Sequence, residues 1–234
     1  MLMRILPLAL ATLSMASASA DEAEIKKAME AKLGAKVESV TKSGFLGLYE
    51  VYSEGNILYT DEKMTAFLAG GQLIDGKSMK YVTEERMRKL TAIKFAELPM
   101  ERAIKQVRGN GTRVLATFED PNCGYCKRLA KDLLKLDNVT VYTFLYPILS
   151  EDSIKKSKQI WCAADRTKAW NDWMIEGRVP AGKDDCDTAA ITKNQEFGRR
   201  LNISGTPTMF FADGERVPGA MPLAKIEQKL SQLK

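Results

Sequence analysis

Cys123-Gly124-Tyr125-Cys126 stands where one pattern gives way to another. Before it, Arg113 to Phe118 reads as a buried strand. After it, Cys123 to Leu136 reads as a helix with Leu129, Leu133, Leu134 and Leu136 on its core side. A strand that feeds directly into a helix commits this stretch to alternating β and α elements packed as layers. The continuation agrees: Val139 to Tyr146 is a strand, and Ser153 to Glu176 and Thr188 to Leu201 are helical. Thr208 to Phe211 is a strand, Asp213-Gly214 a turn, Glu215 to Val217 its hairpin partner, and Leu223 to Leu233 a closing helix.

The same junction gives the two cysteines a chemical meaning. Cys123 falls at the helix N-terminus, where unpaired N–H groups and the helix dipole stabilise a thiolate and lower its pKa. Cys126 lies one turn on and is more shielded, and two intervening residues let the sulfurs meet as a disulfide. Side chains nearby do not decide the electrostatics: Glu119 and Asp120 oppose a thiolate, whereas Lys127 and Arg128 favour it. Taken alone, the motif also fits a structural disulfide or half of a zinc site.

The chain contains no histidine. That removes Ser-His-Asp and Cys-His mechanisms, His-ligated metals and a histidine pH switch. A zinc site would have to recruit Cys162 and Cys186, which are not a close pair, so no metal is expected. A net charge of +5 from 35 basic and 30 acidic residues is too thinly spread to point to nucleic acid.

Upstream, residues 22 to 33 read as a short helix, with Ile25, Met29 and Leu33 on one face. Val37 to Thr41, Leu46 to Tyr52, Ile57 to Thr60 and Met64 to Leu68 read as strands separated by turn residues. A helix and a meander of this size are marginal as an independent monomer, and open sheet edges invite pairing with another chain. A connector follows. Thr83 can cap a helix carrying Met87, Leu90 and Ile93, and Met100 to Val107 is a second short amphipathic run. Residues 1–20 have the charged start, apolar run and Ala18-Ser19-Ala20 ending of a signal peptide, with cleavage expected after Ala20. The apolar run is too short to cross a bilayer, which takes about 20 residues.

Export permits disulfides. Cys162 lies in a helix and Cys186 in Asp184-Asp185-Cys186-Asp187, where three acids suppress thiol reactivity. A structural Cys162–Cys186 disulfide is expected, shielded and slower to reduce than the first pair. Trp161, Trp170 and Trp173 have helical spacing and are expected in the core, while Tyr125 is expected to be exposed. Pro207, in Ser204-Gly205-Thr206-Pro207-Thr208, reads from spacing alone as a trans strand starter.

A strand, Cys-Gly-Tyr-Cys, a helix and a later Thr-Pro before a hairpin resemble the thioredoxin fold. Phe118 through Leu129, with Ile203-Ser204-Gly205-Thr206-Pro207, resembles more narrowly the DsbC/DsbG family of periplasmic disulfide isomerases. The likeness is strongest from Thr112 onward. Gly124 favours the DsbC branch, because DsbG-like proteins usually carry proline there. This resemblance implies a cis Pro207, with Thr206 tuning the site and Gly124 and Tyr125 meeting the substrate. It implies an α+β chain in four parts: signal peptide 1–20, N-terminal helix-plus-antiparallel-sheet dimerisation domain 21–80, linker helix region 81–111, and thioredoxin-like catalytic domain 112–234. That last domain carries a helical insertion at about 150–202.

The expected activity is disulfide isomerisation in the periplasm by a homodimer with chaperone character and no cofactor. Cys123 and Cys126 are the catalytic pair, misoxidised or unfolded exported proteins are the clients, and a DsbD-type membrane reductase resets the enzyme. Two alternatives are a DsbG-like reductase of oxidised single cysteines and a non-enzymatic peptide-binding chaperone. There is one departure from thioredoxin itself. Thr117 stands where thioredoxins carry a buried acid, so proton removal from Cys126 is expected to be less assisted.

Overall fold

The computed structural model of the chain describes residues 22–233, so the expected signal peptide lies outside the described residues. The chain divides into two compact units, one ending at Gly71 and the other beginning at Gln72.

The first unit opens with α1 (Glu22–Leu33), whose four-residue apolar spacing buries Ile25 and Met29 completely and leaves Leu33 exposed. An antiparallel sheet follows in the order β1 (Val37–Lys42), β2 (Tyr49–Ser53), β3 (Asn56–Thr60) and β4 (Phe67–Ala69). Ile25 and Met29 pack with Val37, Val40, Tyr49 and Val51 into one small core. β4 pairs only with β3 and is exposed throughout, with Phe67 and Leu68 nearly half accessible. Its start at Phe67 is three residues later than the apolar pattern indicates, because Asp61 binds the N–H groups of Thr65 and Ala66 and turns the chain there.

The second unit begins with α2 (Val82–Thr91). Thr83 does not cap it. Its hydroxyl accepts the N–H of Leu73 instead. The chain after α2 is pinned by Ile93, whose N–H donates to the Gly214 carbonyl. Gly214 has φ +84°, and a Cβ there would stand 1.9 Å from the Ile93 carbonyl oxygen. Only glycine fits that crossing. Residues 100–107, read as one amphipathic run, form a short turn and then β5 (Ile104–Arg108), an edge strand paired with β7.

The central sheet runs β5-β7-β6-β8-β9, from β6 (Arg113–Glu119), β7 (Val139–Leu145), β8 (Thr208–Phe211) and β9 (Arg216–Pro218). α3 (Gly124–Leu133) makes the crossover between the parallel strands β6 and β7. α4 (Glu151–Trp161), α5 (Arg166–Glu176) and α6 (Ala189–Arg200) lie between β7 and β8, and α7 (Leu223–Gln232) closes the fold. The single helix read over 153–176 is two helices: Asp165 caps α5 by accepting the Lys168 N–H and so restarts the helix.

Two features of this unit position the site. In the β6–β8 register, Phe118 faces Thr208, so the residues just before β8 reach the end of β6 from which α3 departs. At Gly198, a Cβ would lie 2.4 Å from the Tyr146 ring, so glycine lets α6 close on Tyr146. The Tyr146 hydroxyl then donates to the Ile203 carbonyl at 2.9 Å, anchoring the segment that leads to Pro207.

Candidate active site

Cys123 is the N-cap residue of α3, and its sulfur accepts the N–H of Cys126 at 3.4 Å. Both cysteines are free thiols and both are buried, Cys126 completely. Tyr125, between them, is 61% exposed, and a Cβ at Gly124 would meet only open space. The Thr206–Pro207 bond is cis, and the Thr206 carbonyl oxygen lies 3.3 Å from the Cys123 sulfur, from which it accepts a hydrogen bond only when that sulfur is protonated. The resemblance therefore anticipates the isomer, whereas spacing alone does not. The Pro207 carbonyl accepts the Gly219 N–H at 2.8 Å, which ties this segment to the end of β9.

The two thiols are driven apart electrostatically. Cys123 is held well below the ordinary cysteine range, at about 5. The Cys126 thiol is the chief cause; burial opposes it, and the Thr206 hydroxyl with the Cys126 and Tyr125 N–H groups adds to it. The Thr206 hydroxyl is buried and has no other hydrogen-bond partner among the described residues. Cys126 is pushed strongly up, first by burial, then by its bond to Cys123, then by the charges of Glu119 and Cys123. One sulfur is thus a thiolate at neutral pH and the other a thiol.

Strand alternation puts Thr117 and Glu119 on the same face of β6, and the Thr117 hydroxyl donates to Glu119 Oε1 at 2.7 Å. Glu119 is fully buried, and burial above all raises its pKa to about 8. Its expected opposition to a thiolate is correspondingly weakened, because a neutral carboxyl carries no charge. Asp120 is also buried, and its carboxylate accepts the N–H groups of Asn122, Ile148 and Leu149. It fastens the loop before Cys123 to the loop after β7. Sequence reasoning missed both roles. The period-2 step from Thr117 to Glu119 was the available signal.

Cys162 and Cys186 form a disulfide that joins the end of α4 to the loop before α6. Cys186 is exposed, so the expected shielding of this pair is not found. Asp184, Asp185 and Asp187 hold their segment at the surface around it. Trp161 and Trp170 are buried. Trp173 is half-buried beside the site, with Lys127 and Lys156 at 4.1 and 4.7 Å from its ring and its N–H on the Pro121 carbonyl.

Residues 100–234 match the thioredoxin-like domain family, and residues 16–84 match the disulfide bond isomerase protein N-terminal domain. The chain is 49% identical over 197 residues to a probable thiol:disulfide interchange protein DsbC of Bordetella pertussis, covering 84% of this chain and 69% of that protein. The chain belongs to the DsbC family of thiol:disulfide interchange proteins. The Escherichia coli K12 DsbC is 27% identical over 220 residues, 92% of this chain and 89% of that one. A disulfide interchange protein structure from Neisseria gonorrhoeae is 39% identical, with a TM-score of 0.55 over 58% of this chain and 97% of that chain. As a DsbC-family member the chain is a thiol:disulfide oxidoreductase, and the α+β architecture of an N-terminal family domain followed by a thioredoxin-like one is the one read from its sequence.

Proposed function

We propose that this chain is a periplasmic protein disulfide isomerase with Cys123 as its nucleophile. The observation that carries the reading is the division of labour at α3: a thiolate at the N-cap, backed by cis Pro207, and a buried thiol one turn on. Cys123 attacks a wrong disulfide in a client, forms a mixed disulfide and releases one client thiolate. A second client thiolate then attacks the client sulfur of the mixed disulfide, which forms the new client disulfide and frees Cys123. If that stalls, Cys126 attacks Cys123, the client leaves reduced, and a DsbD-type membrane reductase resets the pair. Tyr125 and Gly124 offer an open, partly apolar surface to an unfolded chain. The chemistry needs no metal or organic cofactor.

The domain roles follow the same reading: residues 21–80 for dimerisation, 81–111 as the connection, 112–234 for catalysis. The exposed edge strand β4, with Phe67 and Leu68, supports a homodimer. Refolding of a scrambled disulfide protein by wild type and by Cys123→Ser tests the assignment. The variant is expected to fall to background, and retained isomerase activity would overturn it. Removing residues 21–71, rather than 21–80, spares Leu73, whose backbone bonds to Val82 and Thr83 in the second unit. That truncation is expected to give a monomer that still reduces insulin but has lost most isomerase activity.

A further inference from the structure

The resolving step leaves a proton without a destination. Cys126 is fully buried and its thiol is far from ionising by itself. We propose that Glu119 is the base that takes the proton from Cys126 when Cys126 releases a stalled client. The proposal rests on the assignment of Cys123 and Cys126 above, and three observations of geometry carry it.

First, Glu119 is a carboxyl at the end of β6 with 1% of its surface accessible. Burying such a group without full hydrogen bonding is unfavourable and calls for a role that maintains it. Second, only half of that carboxyl is satisfied. Oε1 accepts from Thr117, whereas Oε2 has no hydrogen-bond partner among the described residues. Third, Glu119 lines a cavity of about 10 Å³, room for about one water molecule. Ala130, one turn beyond Cys126 on α3, lines the same cavity, and so do the half-buried Gln106, Arg108 and Asn171. The cavity thus places Glu119 beside the turn of α3 that follows Cys126 and next to half-buried polar side chains. Among the described residues Glu119 and Cys126 share no direct hydrogen bond, so the proposed transfer runs through a water molecule.

The charge of Cys123 times the transfer. In the resting enzyme the Cys123 thiolate helps to hold Glu119 protonated, as a lesser cause beside burial. In a mixed disulfide Cys123 is bonded to the client and carries no charge. Glu119 then ionises more readily, at the stage when Cys126 must lose its proton. The proton passes to the Glu119 carboxylate, the Cys126 sulfur bonds to Cys123 Sγ, and the Cys123–client bond breaks. The client leaves as a thiolate that takes a proton from solvent. Two electrons pass to the client, the enzyme ends with a Cys123–Cys126 disulfide, and Glu119 returns its proton to solvent. The titratable and charged groups facing Glu119 are Cys123 and Cys126 from α3 and Arg108 from β5.

The test is the decay of a preformed mixed disulfide between the full chain and a small aromatic thiol, followed by thiol absorbance from pH 5 to 9. Wild type is expected to decay faster as pH rises through the Glu119 ionisation. Glu119→Gln, nearly isosteric, is expected to slow decay at pH 7 at least about tenfold, within the range of general-base effects, and to lose that pH step. Thr117→Val removes a hydrogen bond that lowers the Glu119 pKa, so it is expected to move the step to higher pH. A purely structural Glu119 would not produce that movement, and Thr117→Val also keeps the test open if Glu119→Gln does not fold. Superimposable profiles for wild type and Glu119→Gln, or an unmoved step in Thr117→Val, would overturn the proposal. Failure of the underlying assignment shows differently: no mixed disulfide forms at Cys123, or Cys126→Ser decays as fast as wild type.

Discussion

Cys123 and Cys126 are buried, whereas Cys186, half of the other cysteine pair, stands exposed on an acidic loop. Exposure alone would make Cys162–Cys186 the labile pair. The electrostatics run the other way. Cys123 sits on a helix N-terminus with donors converging on its sulfur, while Cys186 lies among Asp184, Asp185 and Asp187, which disfavour a thiolate as attacker or leaving group. Comparing the two pairs separates access from activation. A thiol needs a path for its partner, but its reactivity is set by the groups that stabilise negative charge on sulfur.

The sharpest way to break the comparison is to remove each pair in turn. Cys123→Ser is expected to cut thiol–disulfide exchange by at least about a thousandfold, since the nucleophile is gone. Cys162→Ser with Cys186→Ser is expected to leave exchange within about twofold, since neither sulfur bears on Cys123. Its cost falls on stability. A disulfide closing a loop of about 25 residues contributes about 3–3.5 kcal/mol in the chain-entropy model, or roughly 10 °C in the thermal midpoint of the second unit. Insulin reduction and calorimetry on the same two variants measure both effects. Lost exchange in the double variant, with its fold intact, would show that the second pair reaches the site.

The sequence carries β6 and β7 almost to the residue, because each is an apolar run bounded by turn residues, whereas α3 ends at Leu133, three residues short of its leucine pattern. It does not carry β5. Ile104–Arg108 has no alternation of its own to separate it from a helix, and pairing with β7 decides its form. Nor does it carry the burial of Glu119. Ala130 and Trp170 share a wall with this carboxyl, and a residue about 50 positions away in sequence, as Trp170 is, cannot be placed over it by a local pattern. Cys123 and Cys126 are legible because their spacing is short. The cis form of Pro207 is not, since what surrounds it comes from β6 and α3.

A smaller effect lies in pH. The folded pKa of Cys123 is about 5, below the ordinary value of about 8.5. A depressed acid stabilises the folded, reduced state most fully above its ordinary value, and that contribution is lost as pH falls through the folded value. At pH 7 it amounts to about 2–3 kcal/mol. Alkylation of Cys123 is therefore expected to be flat from pH 8 to 6, half-maximal near 5 and tenfold slower per unit below that. Iodoacetamide rates with mass spectrometry would show it, using Cys123→Ser as the blank. A half-point near 8.5 would remove the electrostatic contrast between the pairs. Under mild reductant, an oxidised Cys123–Cys126 should open before Cys162–Cys186, for the same reason and despite the exposure of Cys186.

The smallest expected effect isolates one donor. The Thr206 hydroxyl is buried, lacks another partner among the described residues and lowers the Cys123 pKa. Thr206→Val keeps the shape and removes the oxygen. Because that oxygen has no other partner, its loss leaves no new unsatisfied group, and stability is expected to change by less than about 1 kcal/mol. The Cys126 thiol and the N–H groups of Cys126 and Tyr125 remain, so Cys123 stays ionised at pH 7 and alkylation there is unchanged. The half-point alone should move upward, by less than about one pH unit. An unmoved half-point would mean that the hydroxyl does not reach the sulfur, leaving α3 as the whole origin of the activated pair. A shift of several units would mean that the segment before β8, rather than the helix, sets the contrast with Cys162–Cys186.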